Sequence, residues 1–373
     1  MTTTSQHVPR SADPAEPSLP LSVLERGGHP AGTTAEQAVR DMVDTARTAD
    51  AHGYRRFWVA EHHAVRTSAS SAPAVLIAHI AARTERIRVG SGGVMLPNHP
   101  PYTVAEQFAT LGTLHPGRID LGVGRPSDGS TEAHRLLEEA LRRAPRAGTG
   151  FPAQIDELLG VLFGRGPDRN RFHSLPLTPR PATAPQVHVL GAGTTSARLA
   201  AERGLPFVYG HHLSRVICRP EAPEGYRAAF RPDPDHPGQD GTRPHLSVSV
   251  HVVCAETDEL AESLALRSAA YMAAHSGNAA SSGPLSPARA EHLARRVLDE
   301  YQVVYGAPAK VAAELEALAA RFAADELMVA PFEATGKARA RTLRLAARAR
   351  VAPPARVTQP ARVASPAHRA AKR

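Results

Sequence analysis

Arg86 to Arg125 reads strand, helix, strand, and this stretch constrains the fold more than any other part of the chain. Arg86–Met95 is apolar, partly β-branched, and breaks at Gly90-Ser91-Gly92-Gly93. Thr103–Leu114 carries Val104, Phe108, Leu111 and Leu114 at helical spacing. Arg118–Val123 is strand-like again and stops at Gly124-Arg125. A unit of this length joins two parallel strands through a crossover helix. The same alternation runs along the rest of the chain. Further strands are expected at Leu19–Leu24, Tyr54–Ala60, Gln186–Leu190, Pro206–Tyr209, Leu246–Cys254 and Asp325–Pro331. Helical patterns fall at Thr33–His52, Ser71–Arg83, Thr131–Arg143 and Phe151–Phe163, after Gly193, and from Pro331 to about Arg350. Eight alternating units predict an α/β fold of the closed (β/α)8 TIM barrel type. Gly164–Pro185, Pro220–Arg243 and His275–Pro287 are rich in Pro and Gly and read as long loop insertions.

The 373 residues carry a formal charge of +8, which invites a nucleic-acid reading. The charge is not evenly spread. Residues 337–373 hold 11 of the 44 Lys and Arg and no Asp or Glu. The remainder sets 33 basic against 36 acidic residues, an ordinary slightly acidic globular body. Residues 351–373 are Ala-, Pro- and Arg-rich with little to bury, so they read as a disordered basic tail. Residues 1–18 read as a disordered N-terminus without a signal peptide's apolar core, and 19–350 as the barrel. Neither a nucleic-acid nor a membrane partner is expected. Cys218 and Cys254 match no metal spacing and read as thiols of a reducing cytoplasm.

Chemistry in parallel α/β folds gathers at the carboxyl ends of the strands. Glu61-His62-His63 ends the second strand, where imidazoles suit proton transfer or metal binding. On an extended strand His62 and His63 point opposite ways, so only a bend brings both to one site. Gly92-Gly93 strips two side chains from the mouth of the third strand, leaving room for a planar ligand or a tight barrel corner. His99 follows shortly after. Arg125 ends the fourth strand, a natural phosphate partner. Arg118 begins that strand on the opposite face and is expected to pair with a carboxylate. Asp120, mid-strand, reads as structural. Gly191-Ala192-Gly193-Thr194-Thr195-Ser196 opens a helix, which suits either phosphate or ordinary capping. His211-His212 ends the sixth strand as a second histidine pair.

RFWVAEHH, SAPAVLIAHIAARTERIRVGSGGVMLPNHPP, VAEQFATLGTLHPGRIDLGVGR, LGAGTTSARLAAERGLPF and ADELMV together resemble the luciferase-like flavin monooxygenase family. The resemblance implies roles residue by residue. His62 matches the family's histidine near the reactive edge of the flavin; by position at strand ends, His63 and His211 are rival acid–base candidates. Gly92-Gly93 matches a pair joined by a cis peptide against the ring, and His99 borders the same pocket. Arg125 matches a phosphate-binding arginine and Gly193, Thr194 and Ser196 the phosphate-cradling turn, with Ala192 and Thr195 as further candidates in that turn. The implied cofactor is reduced FMN, with a deazaflavin as the alternative. The implied reaction is oxygenation of a small organic substrate by O2 through a flavin peroxide. A separate flavin reductase and a homodimer are implied partners, and no resident metal. Two other readings stay open: a metal-dependent (β/α)8 hydrolase, and a flavin-binding protein without turnover.

Overall fold

Eight parallel strands close into a ring with helices outside it. The computed structural model describes residues 18–30, 32–126, 132–141, 150–164, 175–233, 241–275, 286–349 and 351. The chain alternates β1 (Leu21–Glu25), α1 (Ala35–Ala51), β2 (Arg56–Val59), α2 (Pro73–Ala81), β3 (Arg88–Met95), α3 (Pro101–Leu114) and β4 (Ile119–Gly124). Then come α4 (Glu132–Ala140), α5 (Phe151–Phe163), β5 (Gln186–Gly191), α6 (Thr194–Glu202), β6 (Phe207–Tyr209), α7 (Ala222–Ala229) and β7 (Leu246–Cys254). The chain continues through α8 (Asp258–His275), α9 (Pro287–Glu300), β8 (Val304–Gly306), α10 (Pro308–Phe322), β9 (Glu326–Pro331) and α11 (Gly336–Arg348). β1 to β7 pair in sequence, and β9 closes the ring by pairing with both β7 and β1.

Period-two alternation decides what each strand presents to which side. Val23, Phe57, Val89, Leu121, Val189 and Val250 face outward and are buried under the helices. Large apolar groups of this kind each contribute about 1.5–3 kcal/mol when fully buried. The alternate residues fill the barrel. At its floor Arg56 Nη1 donates to Asp120 Oδ2 at 2.7 Å and its Nε to Glu326 Oε1 at 3.0 Å. Arg88 Nε donates to Asp120 Oδ1 at 2.8 Å. Burial pushes the Asp120 carboxyl up, but Arg56 and Arg88 more than offset it and hold it at about 2. The structural reading of Asp120 fits this floor. Above it Leu24, Trp58, Val208, Met328 and Ala330 form an apolar inner layer.

Several connections differ from the sequence expectation. Pro220–Arg243 is not one loop, because α7 lies inside it; its proline in the first turn and mid-helix Gly225 hide a short helix. β8 is a ninth strand on the edge of β7, bonded to Val252–Cys254 and outside the ring. It comes with α8 and α9, which build a satellite core around Ala261, Ala265, Ala294 and Leu298. Gly164–Pro185 joins α5 to β5 and so belongs to the amino-terminal side of the barrel; its residues 165–174 lie outside the described residues. The same holds for 276–285 of the third predicted loop.

Arg118 has no carboxylate within ion-pair distance among the described residues. It donates to the carbonyls of Ile87 and Ala81 and to Thr84 Oγ1, tying β4 to the α2–β3 connection. Residues 1–17 and 352–373 lie outside the described residues. Val351, assigned by sequence to the tail, is buried, and its carbonyl accepts the Leu19 N–H at 2.8 Å.

Candidate active site

The carboxyl ends of β1 to β7 form one face, and the site residues arrive there by the same alternation that fills the barrel. Beyond Ser22 and Leu24, the inward series on β1 continues to Arg26. Beyond Arg56 and Trp58, the series on β2 continues to His62. On β7 it runs Ser247, Ser249, His251. Gly27, at φ +66, turns the chain directly after Arg26; a Cβ there would come within 2.6 Å of Ser70 Cβ.

His62 and His63 do separate, as an extended strand requires, and they join two neighbouring clusters. His63 Nε2 and His99 Nε2 lie 2.7 and 2.8 Å from Glu61 Oε1. Glu61 Oε2 accepts the Met95 N–H at 3.1 Å, which ties the group to the end of β3. Burial raises the Glu61 carboxyl, but the hydrogen bonds of His99 and His63 outweigh it, and the net shift is downward. The three residues place one ligand atom each within 4.8 Å of one another, a spacing that could also hold a metal ion. No resident metal is expected from the sequence, so this grouping was missed. Its signal was the His63–His99 relation across a loop, which no local spacing reveals.

His62 belongs to the second cluster. Its Nδ1 lies 3.3 Å from Ser68 Oγ, whose own hydroxyl donates to the Arg26 carbonyl at 2.9 Å. That bonding leaves Nδ1 to carry the proton and Nε2 as a bare acceptor. Burial lowers the His62 pKa to about 4, helped by the charge of Arg26. His212 Nδ1 meets Ser249 Oγ at 2.7 Å, and His251 stands edge-on to it with ring centroids 5.4 Å apart.

His211 is not in this cluster. It lies on the outward series with Tyr209 and packs against Phe322 of α10, ring centroids 5.5 Å apart. Val208 faces the barrel interior, so parity puts Gly210 and His212 inward and His211 outward. Counting from Val208 was the signal that could have found His212. His251 was missed because a lone histidine inside an apolar strand reads as core.

Gly92 and Gly93 share a cis peptide bond where β3 loses register with β4. A Cβ on Gly92 would sit 2.4 Å from Leu24 Cδ1, and one on Gly93 only 2.8 Å from the Gly122 carbonyl oxygen. Protein atoms on both sides therefore demand glycine here, in addition to any ligand.

Arg125 and the start of α6 lie at adjacent strand ends, since β4 pairs with β5 through Val123 and Val189. Arg125 is exposed; its guanidinium lies 5.8 Å from the Phe151 ring centroid, with no carboxylate partner among the described residues. α6 opens at Gly193 in extended conformation with no side-chain cap, so its first N–H groups stay unpaired by side chains. Thr194 and Thr195 are exposed and, with Arg198, Ala222, Gly225 and Ala229, line a cleft of about 300 Å3. Ser196 is buried against Gly191, where any Cβ would come within 2.5 Å of it. Ala192 is buried behind the turn, and its carbonyl accepts the Arg219 N–H at 2.8 Å.

The luciferase-like monooxygenase family profile matches residues 20–326. The N-acetyl-S-alkylcysteine monooxygenase of Bacillus subtilis is 32% identical over 318 residues, covering 83% of this chain and 91% of that one. The solved structure of apo-MsnO8 superposes with a TM-score of 0.74 at 35% identity, covering 90% of this chain and 99% of the other. The oxygenating constituent of 3,6-diketocamphane monooxygenase from Pseudomonas putida, solved with FMN, superposes at 0.64 over 91% and 100% of the two chains. At 20% identity that likeness speaks for the fold alone. Among the described residues, no helix is long and apolar enough to cross a membrane. The match to most of the barrel, on a ring of this topology, makes this chain a member of the luciferase-like monooxygenase family.

Proposed function

We propose that this protein is a flavin-dependent monooxygenase that uses reduced FMN and O2 to oxygenate a small organic substrate at the carboxyl face of the barrel. The observation that carries the reading is the pairing of Arg125 with the uncapped start of α6. A guanidinium without a carboxylate partner among the described residues and N–H groups left uncapped by side chains, at adjacent strand ends, fit one phosphate. Reduced FMN, when bound, supplies the electrons that let O2 deliver one atom to the substrate and one to water.

The chain's own residues do the rest. Arg125, Thr194, Thr195 and Ser196 anchor the phosphate, with Ala192 and Gly193 shaping the turn. Gly92-Gly93 presents bare backbone to the ring. His62, neutral and with Nε2 free to accept, holds or passes a proton beside the reacting atoms. Glu61 orients His63 and His99 at the rim. The barrel lacks a dinucleotide fingerprint, so a separate reductase supplies the reduced flavin. A deazaflavin is the alternative ring for the same cradle.

The test is to mix the protein with anaerobically reduced FMN, admit isotopically labelled O2 in the presence of candidate substrates, and analyse the products. Label in one product supports the reading. Consumption of O2 with no labelled product from a broad panel leaves a flavin oxidase and defeats it. The grouping of Glu61, His63 and His99 favours one second reading, a metal-dependent hydrolase. One equivalent of zinc with FMN-independent hydrolysis would select it.

A further inference from the structure

Arg26 is a cation turned into the barrel mouth with no ion-pair partner among the described residues. Its Nη1 donates to His251 Nε2 at 3.1 Å, and this is its guanidinium's one hydrogen bond among the described residues. His251 Nδ1 lies 3.1 Å from the Ala330 carbonyl and so carries that ring's proton, leaving Nε2 to accept from Arg26. The nearby carboxylates have other partners. Glu25 Oε1 accepts the Gly27 N–H at 2.8 Å, and its Oε2 lies 3.0 Å from Arg339 Nε. Glu61 is held by His63, His99 and the Met95 N–H.

The other groups around Arg26 are neutral. His62, His212 and His251 line it from β2, β6 and β7, and Tyr301 approaches from the end of α9. His251 stacks edge-on against Phe332, ring centroids 4.9 Å apart, which closes the far wall. Arg26 keeps part of its surface accessible, so the rest of its fork opens on the site and is not sealed in protein. A planar donor fork with one net positive charge and neutral neighbours matches a planar monoanion. A phosphate would call for a second cation, and the three imidazoles do not supply one.

Resting on the flavin-monooxygenase reading above, we infer that Arg26 binds the carboxylate of the substrate, so that this enzyme oxygenates small organic acids. His62 then stands beside the held acid, and the neutral imidazoles of His212 and His251 shape the pocket without competing for the anion. The same monoanion chemistry could come from the reduced flavin ring, and the experiment separates the two.

Titrate the flavin-free and the FMN-loaded protein by calorimetry with hexanoate, phenylacetate and N-acetylmethionine, each beside its uncharged amide. Wild type is expected to bind at least one acid about tenfold or more tighter than its amide, in both forms of the protein. Arg26→Gln is expected to abolish that preference and leave FMN affinity unchanged; Arg26→Lys, which keeps the charge but loses the fork, retains part of it. Acids and amides binding alike to wild type would overturn the inference, as would no binding of any acid at millimolar concentration. Under anaerobic conditions, an acid that displaces reduced FMN, with Arg26→Gln weakening reduced FMN in parallel, would assign the cation to the flavin instead. Should Arg26→Gln not fold, the wild-type acid-to-amide ratio and Arg26→Lys still decide. Failure of wild type to bind FMN would sink the flavin reading alone, since the flavin-free titration stands without it.

Discussion

His62 and His211 look equivalent in sequence, each the first of a histidine pair at a strand end, yet their surroundings differ in kind. His62 sits among Arg26, Ser68 and His212 on the barrel side, while His211 packs on Phe322 outside it. His62→Ala should therefore slow product formation by about 10²–10⁴-fold, the usual contribution of a positioned acid or base, with FMN affinity retained. His211→Ala should leave the chemical step unchanged. Rapid-mixing measurements of product formation by both variants check this, and the opposite pattern would transfer the proton role to the outer histidine.

Glycines decide how closely β3 and β4 approach. A methyl on Gly93 would meet the Gly122 carbonyl oxygen at 2.8 Å, and backbone cannot step aside as a side-chain end can. Gly93→Ala should lower stability by about 1–3 kcal/mol, the usual cost of overpacking, read as a lower urea midpoint at unchanged slope. Gly53→Ala is no control, because its φ of +78 adds backbone strain; Gly193, with open space around it, serves better. At the chain's end, truncation after Val351 should keep the melting temperature, whereas truncation before it removes a buried side chain and the acceptor of Leu19 N–H and should lower it. A melting temperature equal in both truncations would place the boundary where the sequence put it.

The elements also show why some parts were legible in the sequence and others were not. The eight ring strands were readable because each is a short apolar run, β1 to β6 with glycine or histidine at or soon after the end, and burial on both faces leaves few other fates for such runs. β8, α7, α8, α9 and α10 were not, because their pattern does not repeat the barrel's period. Arg125 and the α6 turn stood out since their chemistry is local to a strand end. Arg26 did not, as a single arginine before two glycines reads as a turn; only closure of the ring brings β1, β2, β6 and β7 around it.

At the scale of the whole molecule, burial keeps a set of histidines uncharged. Burial lowers His62 and His211 to about 4 and His212 to about 3, and pushes His188 and His251 well down. In the unfolded chain each titrates near about 6.5, so below that pH the unfolded state binds more protons. The stability they contribute is full above the unfolded value and is lost as pH falls toward 4 and then 3. Glu333, raised by burial to about 7, and Glu314, also raised by burial, act in the opposite sense over part of the same window, but the lowered histidines outnumber them. Urea midpoints should therefore fall steadily from neutral pH to mildly acid pH. A flat or rising profile would mean that the histidines are solvated in the folded protein.

The flavin reading rests above all on a phosphate held between Arg125 and the start of α6, and FMN differs from riboflavin by that phosphate. Anaerobic titration of wild type and Arg125→Ala with reduced FMN and reduced riboflavin isolates it. Wild type should bind FMN more tightly than riboflavin, and Arg125→Ala should weaken FMN by about 1.5–3 kcal/mol, the scale of a charge-assisted hydrogen bond, while riboflavin stays unchanged. Equal affinity of wild type for the two flavins would contradict the account.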